Sequence, residues 1–267
     1  MKVEQSLDER MDEILSRLQG IWASPIATSR FEFELKRLER EVEEQRRHEP
    51  IRAFYLLGLI ATLQEEADKM QRHFKNALWH SNQDPDVRHG YGACLARMGH
   101  FSAAREQYRI LYAQSPDDLN LLAELIMTTL ATGRIQEGVR WMSEWSRLNP
   151  QRPMEEAVSI AKSSALLERF GVSDDDMERL QQLALNILER GKTTVKTINY
   201  TGMPADDPCW IQADLIIEEP TEVVESLNHR LAEARKSATP PRLAELIFFN
   251  FCNDHTISTE VKTSSSG

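Results

Sequence analysis

Glycine and proline are scarce, eleven of each in 267 residues, which suits a folded, helix-rich chain. Cysteine is scarcer still. Cys94, Cys209 and Cys252 are odd in number and far apart, so neither a disulfide framework nor a thiolate metal cage is indicated. Basic charge is outnumbered. Lys and Arg total 32 against 42 Asp and Glu, a net charge of −10, whereas a nucleic-acid binder needs clustered cations to neutralise phosphate. No apolar run approaches the ~20 residues of a membrane span. Met1 to Arg10 is polar and acidic and lacks a signal-peptide layout, so a soluble protein in the reduced, cytoplasmic compartment is expected.

Catalytic signatures are also missing. There is no phosphate loop, no Gly-x-Gly-x-x-Gly, no His-Glu-x-x-His and no nucleophile elbow. His73 and His80 are seven residues apart and could share a helix face, but no acidic or thiol partner stands in register with them. Cys209 and Trp210 follow a turn-rich loop, Thr201 to Pro208, the one stretch with the makings of a small-molecule pocket. The expectation is a non-enzyme with no cofactor and no metal.

What the sequence does have is a period. Gly58 and Gly92 are 34 residues apart, as are Gly99 and Gly133, and Pro116 and Pro150; Phe74, Tyr108 and Met142 follow the same step. A fixed step of this size is the signature of stacked helical hairpins. A small residue on one helix lets its partner approach closely, and an aromatic on the partner fills the space between hairpins. Gly after the first helix permits the left-handed residue that ends it, and Pro cannot continue the second.

These residues resemble the tetratricopeptide repeat family, with repeats over 51–84, 85–118 and 119–152. The middle one matches best, through Tyr91-Gly92, Gly99, Ala104, Tyr108 and Pro116. The first has Met70 where small Ala is usual and Asn82 where Pro is usual. The third has Ile126 in place of the close-packing Gly and Trp145 in place of Ala. The resemblance covers about 100 residues of the chain and implies a superhelix whose concave groove is lined from the first helices. It maps groove positions onto Arg52, Tyr55 and Leu59, then His89 and Arg97, then Asn120 and Met127. The constellation of Lys and Asn with which some members clamp a terminal carboxylate is absent: Tyr55, Leu59, Gly90, Asn120 and Glu124 occupy its positions. An apolar or amphipathic segment of another protein is the implied guest.

Residues 1–48 read as an N-terminal helical hairpin, with Leu7, Met11, Ile14 and Leu18 and then Phe31, Leu35, Leu38 and Val42 at helical spacing, broken at Ser24-Pro25. It either caps the repeats or mediates self-association. Residues 153–191 form a degenerate capping helical pair, Met154 to Phe170 and a second helix after Ser173, whose following acids Asp174 to Asp176 favour the helix start. Residues 192–258 read as a small β-β-α-β unit, with Val195 to Tyr200 and Trp210 to Ile217 alternating and Leu246 to Cys252 apolar enough for a central strand. Such a unit should pack its second sheet face on the helices or on another chain. Residues 259–267 read as a disordered tail.

The fold expected is therefore mainly α: a tetratricopeptide-like superhelix with an N-terminal hairpin and a C-terminal α+β unit. The function expected is an adaptor, scaffold or chaperone-like protein that binds a partner protein and forms a homodimer. The alternative is a regulatory or enzymatic protein whose α+β unit binds a small molecule, with the repeats as a docking arm.

Overall fold

The computed structural model describes residues 7–24, 28–188, 193, 195–203, 210–238 and 241–253. The chain is mainly helical, with twelve helices and a three-stranded C-terminal sheet among the described residues. It divides into two compact units, Met1–Leu111 and Tyr112–Gly267. The side chain of Leu7, the break at Pro25, the end of the second capping helix near Arg190, most of the loop before Trp210 with Cys209 itself, and the tail all lie outside the described residues.

The first unit opens with α1 (Leu7–Trp22) and α2 (Glu32–Gln45), followed by α3 (Pro50–Leu63), α4 (Ala67–His80), α5 (Pro85–Arg97) and most of α6 (Phe101–Gln114). The expected stripes on α1 and α2 turn inward. Met11, Ile14, Leu18 and Ile21 meet Leu35, Leu38 and Val42, and both sets pack on Ala53, Leu56, Leu57, Ile60 and Leu63 of α3. The stripe that suggested self-association is thus consumed within the unit.

From α3 onward the helices end in a recurring way. Glu65 and Gly99 are left-handed, with φ 61° and 75°, as is Gly133 (φ 81°) in the second unit. Each donates its amide to the carbonyl three residues back, and the next residue (Glu66, His100, Arg134) donates to Ala61, Leu95 or Thr129, five back. This paired closure satisfies carbonyls that a helix end leaves open. The first helix of the next hairpin, α5 or α7, starts on an Asp. Asp84 accepts from the amides of Asp86 and Val87, and Asp118 from those of Asn120 and Leu121. Where Asn82 stands in place of Pro, both Asn82 and Gln83 are left-handed (φ 54° and 66°), a conformation Pro cannot adopt.

The glycines on the first helices sit under aromatic rings. A Cβ placed on Gly58 would lie 2.6 Å from Phe74 Cε2, and one on Gly92 would lie 3.0 Å from Tyr108 Cζ. Phe74 in turn stacks on Tyr91, with centroids 5.2 Å apart. The close approach the spacing predicts is present in both pairs.

The second unit holds α7 (Leu119–Ala131), α8 (Ile135–Leu148), α9 (Ala157–Arg169) and α10 (Asp174–Leu185), then β1 (Val195–Met203), β2 (Trp210–Ile217), α11 (Thr221–Ala238), α12 (Pro241–Leu246) and β3 (Ile247–Cys252). In α7 and α8 the step changes character: Ile126 and Met142 are both buried where Gly and an aromatic stood before, and the tight spot moves to Gly138, under Leu130. Ser173 caps α10 in a box with Asp176. That bond to Ser173 is the main reason the Asp176 carboxyl lies below the usual carboxylate range. Asp174, also expected to favour the start of α10, does something else. Its two carboxylate oxygens accept from the amides of Gln136 and Glu137, each at 2.9 Å, and so cap α8.

β1 and β2 run antiparallel, and β2 and β3 parallel, in the order β1-β2-β3. The strand between two neighbours is therefore β2; β3, expected to be central, lies at an edge. Two features account for its apolar sequence. Ile247, Phe249 and Phe251 are buried, while Phe248 sits edge-on to Trp210 at 6.4 Å with the Arg235 guanidinium 5.5 Å from its ring. Asn228 of α11 then gives β3 part of what a further strand would: it accepts from the Phe251 amide at 2.7 Å and donates to the Phe251 carbonyl at 2.9 Å.

Candidate partner-binding face

Each expected groove residue has a definite place. In the first unit, Arg52 projects from the first turn of α3 and is met by α1: its guanidinium pairs with Asp12 and lies 3.5 Å from Asp8. Leu59, two turns on, packs on the apolar cluster of α1–α3. Tyr55 lies over Gly90 of α5, where an added Cβ would clash with its ring at 2.5 Å, and it meets Phe74 edge-on at 5.6 Å. Burial raises the Tyr55 phenol above its ordinary value. This residue joins α3 to α5.

Arg97 closes α5 and is also met by α1. Its guanidinium lies 4.3 Å from the centre of the Trp22 ring and donates to the Trp22 carbonyl at 3.3 Å. Burial lowers its pKa, an unfavourable setting for the charge that the ring face partly offsets. His89 is exposed, with its ring edge-on to Tyr108 at 5.7 Å. In the second unit, Asn120 is exposed at the start of α7, and Met127 is 58% exposed about two turns further on. Four of the seven, Arg52, Tyr55, Leu59 and Arg97, are thus brought together and used internally, while His89, Asn120 and Met127 are open to solvent.

The element the sequence left out of this face is α1. Nothing in its spacing announces that Asp12 and Trp22 reach residues 40 and 75 positions away. The only local signal is that Asp8 and Asp12, one turn apart, stand off the apolar stripe. In the second unit the corresponding end of α7 is met by the sheet. The Tyr200 hydroxyl lies 3.0 Å from the Leu130 carbonyl and also meets Gln181, whose amide donates to the Ala131 carbonyl. Tyr200 is buried, which raises its pKa, so it acts as a neutral hydrogen-bonding group.

The other features that chemistry could use are modest. His73 and His80 are on one helix, but Phe54 lies near both, 6.1 Å and 5.5 Å from their rings, and among the described residues no group of three metal-ligating side chains forms. Cys94 is fully buried and its thiol is pushed up to about 12, which leaves little of the nucleophilic thiolate. A groove of about 630 Å³ between α1 and α2 and one of about 440 Å³ beside α2, α3 and α4 are both lined by charges. Several of these charges already pair, as Arg17–Glu34 and Lys69–Glu39 do. On the C-terminal sheet, Gln212, Asn250 and Cys252 surround Asp214, the first bonding it at 2.7 Å. Among the described residues no helix is long and apolar enough to cross a membrane.

Compared with family models, with curated proteins and with solved structures, the chain matches none.

Proposed function

We propose that this protein is a non-enzymatic, cytoplasmic adaptor or scaffold of the tetratricopeptide type, which holds an apolar or amphipathic segment of a partner protein against its first helices. The observation that carries this reading is the turn at Glu65, Gly99 and Gly133, at steps of 34 residues with the same pair of backbone bonds each time. Within each unit, a first helix closed by such a turn presents its exposed residues, His89 on α5 or Met127 on α7, as anchors for a helical or extended guest. The test is capture of a partner by the full chain, repeated with His89→Glu and Met127→Glu, two solvent-exposed positions. A partner held by the wild type and lost by the variant supports the reading; a partner held equally by both places recognition elsewhere.

The alternative, a small molecule at the C-terminal unit, has the side chains converging on Asp214 in its favour. A ligand that raises the melting temperature of the wild type but not of Asp214→Asn would support it.

A further inference from the structure

Among α1–α8, α1 is attached differently from the rest. Three residues join α3 to α4, α5 to α6 and α7 to α8, through the left-handed turn at residues 65, 99 and 133, whereas nine residues, 23–31, lie between α1 and α2. A helix that simply added one more layer beside α3 would have no reason to reach α5. Yet α1 meets Arg52 of α3 through Asp8 and Asp12 near its start, and Arg97 of α5 through Trp22 at its end. Between those contacts Met11, Ile14, Leu18 and Ile21 are buried. From Asp12 to Trp22 a helix rises roughly 15 Å. One amphipathic helix therefore spans the line of expected groove residues from Arg52 past Leu59 to Arg97.

We propose that the face of α3 and α5 is a helix-binding face whose resident occupant is α1, and that the partner it fits is an amphipathic helix of similar length, with two carboxylates one turn apart at its start and an aromatic ring at its end, which takes the place of α1. This rests on the adaptor reading and says what the guest is. On this face α1 is held at its start by weak contacts, while Arg10 and Arg17 pair with Glu41 and Glu34 of α2. The side chains of Asp8 and Asp12 are 79% and 70% exposed, where ion pairs are screened and worth little. Attachment through the chain nevertheless gives α1 a high effective concentration. A free guest therefore binds only the fraction of molecules whose face is vacant, and its apparent affinity falls by that fraction. Weakening α1 raises the affinity for a guest without touching the guest's own contacts.

The test uses the full chain carrying Asp8→Lys and Asp12→Lys, against wild type, with a fluorescein-labelled synthetic peptide of residues 5–24 as the probe. Amide exchange of residues 8–22 is expected to quicken at least tenfold in the variant, with α3 and α5 unchanged, and the peptide to bind the variant at least tenfold more tightly. Adding Arg52→Glu offers the introduced lysines a carboxylate within the chain and repels the acidic peptide, so the affinity should return to the wild-type level or below. If α1, α3 and α5 loosen together, α1 is an integral layer of the stack; the proposal is overturned while the adaptor reading stands. If α1 loosens alone and the peptide binds neither protein, the face takes no helix, and both the proposal and the adaptor reading of this face fall. If both proteins bind the peptide equally, the peptide sits elsewhere and the proposal is overturned.

Discussion

The two units each cover the end of a first helix, by different means. In the first, α1 lies on Arg97 at the end of α5 through the face of the Trp22 ring, and on Arg52 at the start of α3 through exposed carboxylates. In the second, β1 sends a fully buried tyrosine to the Leu130 carbonyl, and Ser159 of α9 donates to the carbonyl of Tyr200 itself at 3.0 Å. Solvated charges are cheap to separate, whereas a buried hydroxyl left without its partners keeps its desolvation penalty and loses the bonds that offset it. The polar contacts of the first cover are therefore the weaker of the two.

The substitution expected to act most strongly is Tyr200→Ala. It removes a buried ring and strands the Leu130 carbonyl and Gln181, and it should cost about 3–5 kcal/mol of unfolding free energy in urea. A loss below about 1 kcal/mol would mean that the sheet is no firmer a cover than α1 is. Next comes Gly92→Leu, which drives a side chain into the Tyr108 ring and should cost about 1–3 kcal/mol; unchanged thermal unfolding would remove the close approach from the account. Arg97→Ala is the counterpart of the tyrosine change. It should cost only about 1 kcal/mol, the scale of a cation–π contact, while quickening amide exchange in α1 more than in α2. A cost near that of Tyr200→Ala would erase the difference between the units.

The smallest effect is a gain. Glu65 holds a left-handed conformation that glycine holds at residues 99 and 133. Glu65→Gly should therefore stabilise the first unit by about 0.5–1 kcal/mol, because a residue with a Cβ is strained there and glycine is not. A lower melting temperature would show that the Glu65 side chain contributes more than its backbone strain costs.

Much of this was legible from residue order. The steps linking Gly58 to Phe74 and Gly92 to Tyr108 gave the close helix contacts, because a small residue opposite a ring has few other uses at that spacing. Ser173 announced the start of α10, because a hydroxyl three residues before an Asp is a local cap. Asp174 was read the same way and belongs to a different helix: its carboxylate is local to α10 in sequence but caps α8, 37 residues earlier. Glu65 concealed a turn that glycine marks elsewhere, and an α6-like aromatic is missing from α8, where Met142 fills the position.

The candidate face was legible only as a set of positions. The resemblance to tetratricopeptide repeats implied Arg52, Tyr55, Leu59, His89, Arg97, Asn120 and Met127 as positions on successive first helices, but not which of them the protein itself would occupy.

By itself, then, the order of residues determined the helices from α3 to α10, the turns that glycine marks, the Ser173 cap, and the order of the C-terminal strands and α11 but not the short α12, since helical period, left-handed glycines and strand alternation act over a few residues. Tertiary structure alone decided that Asp12 and Trp22 would hold Arg52 and Arg97, that Tyr200 would end at Leu130, and that β2 rather than β3 would stand at the centre of the sheet. Those outcomes depend on which surfaces meet after the chain has folded back across tens of residues, and no local spacing encodes that meeting.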